Sequence, residues 1–462
     1  MNEENKMGTL PVGKLLFSMS LPPMLSMLLG ALYNIIDSIF VAQLSVTEKP
    51  LTAVTLAFPA QMFMMAICIG LGVGNASLIS RRLGEKKQDE ADSAATHGFF
   101  LALVCWVIFA AFGLFGTEPF LRLFTSDAEI LSMAVTYLRI VAVGSVFMCF
   151  SICIERIMQA TGDMIHPMIF NSVGAGLNAI LAPIFIIGQL GAPRLGIMGA
   201  GLVAVTGQCV AMVIAVVMFV KNEHAVSVHF RGFRVKGRTI GDILAVGAPS
   251  IIMVSIQSFL ISGLNAILLY CLPKAAGDMA VAVLGVYFRI QTFVVLPVIG
   301  MGQGALPIIG YNFGARNRRR LMATFKLAIK IAMIIMAVGV ALFWLLPEQI
   351  MSLFSASPDM MDMGVHALRA ISISYIPAAF TIVCVTLFQA TAHGIFAMII
   401  SIVRQLGFIL PLAYILLANF GVDSVWYAFP IAEIAALAMS ATFLRRVYNK
   451  QIKQLPDGSL TV

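Results

Sequence analysis

Charged side chains are scarce in this sequence: they make up 11% of its 462 residues, whereas hydrophobic side chains make up 60%. The mean hydropathy is +0.95. These values lie far outside the range of soluble domains. Long apolar stretches recur along the whole chain, and roughly 20 apolar residues suffice for a helix to cross a bilayer core about 30 Å thick. The sequence therefore predicts a membrane protein with many spans.

Cysteine and histidine are also few, with seven and six residues. The cysteines fall almost entirely inside apolar stretches, their number is odd and no CxxC pair occurs, so we expect neither a disulfide framework nor a metal site. The histidines are scattered, without an HExxH pair, and no serine nucleophile motif is present. We therefore expect no metal, no cofactor and no enzymatic activity.

The apolar stretches predict twelve transmembrane helices. The short alternating segments of a transmembrane β-barrel are absent, so the predicted fold class is an all-α polytopic membrane protein. The predicted helices cover residues 14–41, 52–80, 93–116, 131–157, 165–188, 197–220, 242–270, 279–310, 322–346, 363–389, 395–419 and 424–446.

Lysine and arginine collect in alternate loops, which marks those loops as cytoplasmic. Four clusters carry this bias: Arg81, Arg82, Lys86 and Lys87; Lys221, Arg231, Arg234, Lys236 and Arg238; Arg316, Arg318, Arg319 and Arg320; and Arg445, Arg446, Lys450 and Lys453. The pattern predicts a multi-pass protein of the inner (cytoplasmic) membrane with both termini in the cytoplasm. The net charge of +8 reflects this bias and contact with anionic lipids, so we expect no nucleic-acid partner.

The sequence repeats itself at an offset of 230 residues. "GLGVGNASLISRRLG" from Gly70 aligns with "GMGQGALPIIGYNFG" from Gly300, and "QAT" at 159–161 aligns with "QAT" at 389–391. Separate segments that share one register indicate a duplication. An even number of helices in each half predicts two parallel six-helix lobes related by a pseudo-twofold axis along the membrane normal.

The predicted domains follow from this repeat. They are an N-terminal lobe over residues 1–221, a basic cytoplasmic linker over 222–240, a C-terminal lobe over 241–450 and a cytoplasmic tail over 451–462. Duplicated lobes around a midplane cavity suit alternating access, so a transporter is the leading hypothesis. The alternate glycines of the repeated motif favour close helix packing.

Ionisable side chains are costly inside a bilayer, so each one in a predicted helix is a candidate functional residue. Asp37 lies in the outer half of the first predicted helix, within "YNIIDSIFVAQL". Its side chain is too short to reach the interface easily, and burial would favour its neutral form. A carboxyl group that is neutral with a proton and charged without it can act as a switch. We predict Asp37 as a coupling residue for a proton or cation; the alternative is an acid hydrated near the interface.

Asn178 lies in the fifth predicted helix at a depth similar to that of Asp37. It is predicted to hydrogen-bond Asp37 or to share a cation with it, and structural bonding between helices is the alternative. Gln61 and Gln291 correspond at the 230-residue offset. We predict that they line a substrate cavity from the two lobes.

Glu433 and Arg289 are the charged candidates in the C-terminal half. They are predicted to pair with each other or to contact substrate, and a structural ion pair is the alternative. Arg404 is a further basic residue inside a predicted helix. Glu155 and Arg156 lie at the end of the fourth predicted helix, where an interfacial position is expected.

Six segments carry a resemblance to a known family: "NIIDSIFVAQL", "GLGVGNASLISRRLGEKK", "QATGDMIHPM", "LNAILAPIFIIG", "PIIGYNFGARNRRR" and "IVRQLGFILPLAYIL". They resemble the multidrug and toxic compound extrusion (MATE) family, in particular its bacterial drug-exporting branches. The resemblance covers nearly the whole chain. It implies export of a drug or metabolite, often a lipophilic cation, in exchange for a proton or a sodium ion.

By position, the resemblance places Asp37 at the coupling carboxylate of the first helix and Asn178 at the asparagine of the fifth. The sequence departs from the family at Ala182, where many members have aspartate, and at Ala204, where threonine is usual. Sodium needs several oxygen ligands, whereas a proton needs one carboxylate. The resemblance therefore implies proton coupling here, with sodium as the alternative.

A flippase of the same superfamily, acting on a lipid-linked oligosaccharide or a peptidoglycan precursor, is the alternative function. Such proteins commonly have more helices and a cationic cavity, whereas basic residues are few inside these helices, Arg289 and Arg404 being the exceptions. The expected partners are a small-molecule substrate, a lipophilic cation above all, and membrane lipids. The protein is expected to be a monomer.

Overall fold

The structure is a computed structural model that describes residues 5–42, 49–187, 195–222, 224–354 and 357–458. Within these ranges the side chains of residues 33–42, 49–51 and 186–187 are not described. The described residues form helices joined by short connections, and no strand occurs among them. The predicted all-α fold class is confirmed.

The described residues of the N-terminal half form eight α-helices. They are α1 (Lys6–Thr9), α2 (Val12–Ala42), α3 (Lys49–Gly84), α4 (Gln88–Ala111), α5 (Thr117–Leu121), α6 (Ala128–Ala160), α7 (Ile165–Ala182) and α8 (Gly196–Lys221). Two π-helical segments continue α4 and α7, at Phe112–Gly116 and Pro183–Ile187.

The C-terminal half contains nine α-helices in its described residues. They are α9 (Gly237–Cys271), α10 (Lys274–Gly314), α11 (Arg318–Leu345), α12 (Pro347–Ser352), α13 (Pro358–Ser372), α14 (Tyr375–Ala390), α15 (Gly394–Ile402), α16 (Leu410–Phe420) and α17 (Ala428–Val447). A π-helical segment, Val403–Ile409, joins α15 to α16; a 3₁₀ segment, Val422–Tyr427, precedes α17; and a π-helical segment, Tyr448–Ile452, follows it.

Eleven helices in the described part of the chain are long and apolar enough to cross a bilayer. A twelfth span is complete if α13 and α14, which are bent by 48° at their junction, count as one. Pro377 lies in the first turn of α14 and has no N–H to bond the carbonyl of Ile373, which accounts for a break there. The prediction of twelve transmembrane helices agrees with this count.

Contacts divide the chain into two units. The N unit is residues 25–251, and the C unit is residues 1–24 together with 252–462. Helix α2 therefore begins in the C unit, and α9 begins in the N unit. The predicted boundaries at 221 and 241 followed the repeat in the sequence and stay a prediction.

The glycines of the repeated motif provide close helix contacts in both units. A Cβ atom on Gly70 would lie 2.9 Å from the carbonyl oxygen of Gly247 on α9. In the C unit, a Cβ on Gly300 would lie 2.7 Å from the Cα of Met24 on α2. Side chains at these positions would separate the helices, so the glycine spacing serves packing in the membrane, where small residues let backbones approach.

Helix α6 lies at the centre of the N unit, where it contacts α3, α4 and α8, while α7 packs along α8. One apolar cluster joins α6, α7 and α8 through Ile154, Met158, Phe170, Ala211 and Ala215. In the C unit, α10, α11 and α14 contact one another. The three-helix group α6, α7 and α8 positions the site described below.

The segment after α8 contacts α4, and the segment after α17 contacts α11. The two contacts involve residues that correspond at the 230-residue offset, Gln88 and Arg318. The Gln88 side chain of α4 donates a hydrogen bond to the carbonyl oxygen of Ala225 at 2.7 Å. In the C unit, Arg318 of α11 donates to the carbonyl oxygen of Lys453 at 3.1 Å. Each segment is thus fixed to a helix of its own unit.

Candidate functional site

A cavity of about 190 Å³ lies between α6, α7 and α8 of the N unit. Its lining is part polar and part apolar, and is made of Met148, Ser151, Ile152, Asn171, Gly174, Ala175, Asn178, Gly207, Gln208 and Ala211. On α7 the lining residues recur at the spacing of one helix face. The volume accommodates several water molecules or part of a small organic ligand.

Asn178 is one of two asparagines of α7 that line this cavity. Its side chain is 8% exposed, and its Oδ1 atom accepts no hydrogen bond from the described residues. A buried oxygen without a donor costs roughly 1–3 kcal/mol, so a donor brought to this atom would relieve that cost. The opposite wall is Gly207, where an added Cβ would overlap the Asn178 carboxamide.

The other end of the cavity is near the turn between α6 and α7. There the Asn171 Nδ2 group donates to Glu155 Oε2 at 3.1 Å. Gln159 donates to Glu155 Oε1 at 2.9 Å. An acidic side chain is therefore held directly against a residue that lines the cavity.

Arg156 is buried within the protein, with 7% of its surface exposed, and its expected depth at the membrane interface stays a prediction. Its Nη1 donates to Gln159 Oε1 at 3.0 Å. The Arg156 side chain can be buried because α3 carries Gly72 beside it, where an added Cβ would lie 2.5 Å from Arg156 Cγ. A glycine on the neighbouring helix thus makes room for a long basic side chain.

The position where many family members carry aspartate is apolar in this structure. Ala182 is fully buried against Val203, with Leu181 and Phe185 packed around them. Ala182 itself thus supplies no side-chain oxygen ligand. No three His, Cys, Asp or Glu side chains come together as metal ligands in the part of the chain that the structure describes.

The predicted coupling residue Asp37 belongs to α2, but its side chain is outside the described part of the chain. The predicted contact between Asp37 and Asn178 therefore stays a prediction. Gln61 on α3 is half-buried, and its Oε1 accepts a hydrogen bond from the Tyr137 hydroxyl at 3.2 Å. It is thus tied to α6.

In the C unit, Glu433 is buried and Arg289 is exposed. Arg404 Nη1 donates to Glu433 Oε2 at 3.2 Å, so Glu433 is paired with Arg404 and not with Arg289. Gln291 on α10 is half-buried. The pairing neutralises one of the two basic residues that support the flippase alternative.

The sequence predicted Asn178 but not Asn171, Gln208 or Ser151, which line the same cavity. The signal was present on α7, where Asn171 and Asn178 lie seven residues apart and so share a helix face. Polar residues at that spacing inside an apolar helix indicate a common cavity.

The fold and the cavity can be compared with known proteins. A profile of the MatE family matches the chain twice, at residues 22–184 and 253–415. The chain belongs to the MatE family. The double match agrees with the duplication in the sequence, and membership makes this MatE chain a transporter and not an enzyme.

The MatE chain is similar to curated bacterial proteins over almost its full length. It is 27% identical to the multidrug export protein MepA of Staphylococcus aureus over 438 residues, which cover 94% of each chain. It is likewise 27% identical to MepA of Staphylococcus haemolyticus over 435 residues, again 94% of each.

Solved structures share the whole fold. A crystal structure of MATE in complex with MaD3S has a TM-score of 0.91 and 28% identity, and the match covers 98% of this chain and all of that one. An outward-facing multidrug resistance MATE transporter of the MOP superfamily has a TM-score of 0.90 at the same identity and coverage. The predicted family and the two-lobe fold are confirmed.

Proposed function

We propose that this protein is a secondary active antiporter that exports drugs or lipophilic, often cationic, metabolites in exchange for protons. Its relatives named as multidrug export proteins support the cargo class. Their bacterial origin supports a place in the cytoplasmic membrane, with both termini cytoplasmic as the loop charges predict. We propose a monomer as the working unit.

The observation that carries this proposal is the cavity on α7. It combines a buried, unpartnered acceptor at Asn178 with apolar walls, and its volume is about 190 Å³. Sites for small organic ligands are mostly apolar with a few placed polar groups. A lipophilic cation would meet both an apolar surface and an oxygen acceptor here.

The absence of a side-chain oxygen ligand at Ala182 favours a proton over sodium as the coupling ion. Ala182 is buried in an apolar cluster, so it supplies no ligand where many family members carry aspartate. Ionised carboxylates and several oxygens are what hard cations require. A proton needs one basic group, for which Asp37 is the candidate.

In the proposed cycle Asp37 is ionised when the substrate is bound. Protonation from outside then neutralises it and releases substrate, and return to the inward-open state releases the proton. Moving a two-state equilibrium from 1:99 to 99:1 takes about 5.5 kcal/mol. Neutralising a buried charge changes local free energy by several kcal/mol, so one carboxyl group is sufficient to bias the alternating states.

The test uses purified protein in liposomes that carry a proton gradient, a sodium gradient or neither. Efflux of a fluorescent lipophilic cation is followed for the wild type, Asp37→Asn and Asn178→Leu. We expect efflux driven by the proton gradient in the wild type and its loss in both variants. Asp89→Asn, which changes an exposed acid at the start of α4, is the matched control and should transport normally.

Efflux driven by sodium and not by protons would overturn the choice of ion. Efflux of an anionic lipid-linked sugar, with none of the cation under any gradient, would support the flippase alternative. Normal proton-driven efflux in Asp37→Asn would remove this residue from the mechanism.

A further inference from the structure

The cavity of the N unit extends along one face of α7. Asn171, Gly174, Ala175 and Asn178 line it, and seven residues of α-helix span about 10 Å. Asn178 marks one end, and Asn171 marks the end near the turn that joins α6 to α7. No side chain of ordinary length bridges the two ends, but the volume of about 190 Å³ has room for a chain of water molecules.

Glu155 is the acidic group at the turn end of this cavity. The Asn171 amide donates to one carboxylate oxygen at 3.1 Å, and Gln159 donates to the other at 2.9 Å. The Glu155 side chain is 14% exposed. It therefore contacts a residue of the cavity wall and keeps part of its surface accessible.

The charged surroundings of Glu155 are modest. Arg156 is the nearest cation, with Nη2 4.0 Å from Glu155 Oε1; this guanidinium instead donates to Gln159 at 3.0 Å. Asp163 and His166 in the turn pair with each other at 2.6 Å. From α7 the neutral Asn171 faces Glu155, and from α3 Gly72 packs on Arg156. Glu155 is thus not locked in a close ion pair.

The acid is also absent from the equivalent place in the other repeat. At the 230-residue offset, Glu155 corresponds to Val385 and Asn171 to Ser401. The C-terminal half builds its helix pair without this carboxylate. The fold itself therefore does not require Glu155.

We infer that Glu155 is a proton-relay residue that exchanges protons between the cavity water and the solvent beside the α6–α7 turn. The inference rests on the proposed proton exchange. In the relay the carboxylate accepts a proton from a hydronium ion in the cavity, which leaves a neutral water molecule, and becomes a neutral carboxyl group. It then gives that proton to solvent and is ionised again, so the net result is transfer of one proton. Throughout these two transfers, Asn171 and Gln159 hold the Glu155 side chain at the end of the cavity.

Glu155→Gln and Asn171→Leu are the test variants, in liposomes loaded with a fluorescent lipophilic cation. Two rates are measured: efflux driven by a proton gradient, and exchange of labelled for unlabelled substrate without a gradient. Exchange requires no net proton movement. We expect gradient-driven efflux to fall by about 100-fold in Glu155→Gln, as when a positioned acid–base group is removed, while exchange in this variant stays near the wild-type rate. Asn171→Leu, which removes the amide that holds Glu155, should lower gradient-driven efflux in the same direction.

Glu348→Gln, at an exposed position on α12, is the matched control and should keep both rates. Loss of both rates in Glu155→Gln would show a structural role, and retention of both would show no role; either result overturns the inference. If the wild type itself does not respond to the proton gradient, the proposed function fails first, and the two failures are thereby distinguished.

Discussion

Gly207 sets the position of the Asn178 carboxamide in the cavity. An alanine there would overlap this carboxamide, so we expect Gly207→Ala to turn Asn178 away or to push α8 from α7. Overpacking of this kind costs about 1–3 kcal/mol, and efflux of the lipophilic cation should fall with it. Thermal unfolding in detergent and efflux from liposomes measure the two effects.

Gly176→Ala is the matched control, because a Cβ at Gly176 meets open space. It should leave efflux unchanged and stability equal or slightly higher, since alanine is the better helix former. Equal behaviour of the two variants would show that the contact between Gly207 and Asn178 does not matter.

Arg404 and Glu433 form an ion pair in the C unit at 3.2 Å. Arg404→Met leaves the carboxylate of Glu433, which is 5% exposed, without its cation, and breaking a buried pair in this way costs about 3–5 kcal/mol. The double variant Arg404→Met with Glu433→Leu removes both charges and should recover most of that loss. Melting temperatures of the three proteins check this; a double variant as unstable as the single one would contradict it.

Single residues also show where sequence reasoning ends. Asn178 was predictable because an amide inside an apolar helix is conspicuous. The burial of Arg156 was not, because it depends on Gly72, a residue of another helix. The pairing of Glu433 with Arg404 in place of Arg289 likewise depends on how α15 to α17 pack, which hydropathy does not contain.

At the scale of elements, the segment after α8 is held on α4 by His97. Nδ1 of His97 faces the carbonyl oxygen of Ser93 at 2.7 Å, and Nε2 accepts a hydrogen bond from the backbone N–H of Lys236 at 2.9 Å. We expect His97→Leu to speed amide exchange at Lys236, whereas His97→Gln, whose oxygen can still accept, should restore part of the protection. Hydrogen–deuterium exchange of this segment is the measurement.

His229→Leu is the control for this segment, because the His229 side chain is exposed and its backbone N–H is what bonds Thr96. It should leave the protection of Lys236 unchanged. Wild-type exchange in His97→Leu would contradict the assigned role.

The turn between α3 and α4 predicts a dependence on pH. Burial raises the pKa of Glu85, but hydrogen bonds from Arg82 and Lys87 outweigh this and hold its pKa below the ordinary value. Because the pKa of Glu85 is lower in the folded state, this group stabilises the fold at pH values above its unfolded-state pKa of about 4.3. That stabilisation is lost as the pH falls through the folded-state pKa. The melting temperature of Glu85→Gln should therefore change less with pH than that of the wild type. Melting curves between neutral and acidic pH measure this difference.

Elements were the most predictable level of this protein. Runs of apolar residues predicted every long helix, because a bilayer dictates their length and satisfies no backbone bonds. Pro377 marked a possible bending point in the sequence, but the 48° angle between α13 and α14 was not predictable. Proline inside a membrane helix permits a bend without fixing its angle, which neighbouring helices set.

For the whole molecule, the repeat predicted two six-helix halves, and the double family match supports them. The units defined by contacts divide α2 after residue 24 and α9 after residue 251. The repeat in the sequence does not reveal where α2 and α9 are divided. The glycines that contact the first halves of these helices indicate only that some helix packs closely against them. At this scale we propose that substrate and proton move in opposite directions.

The most direct measurement reverses the driving force. Liposomes loaded with a lipophilic cation and a trapped pH dye are diluted into buffer with no imposed proton or sodium gradient, and potassium with valinomycin holds the membrane potential at zero. As substrate leaves, we expect the interior to acidify in the wild type and not in Asp37→Asn. Efflux of substrate by the wild type without acidification would contradict proton antiport.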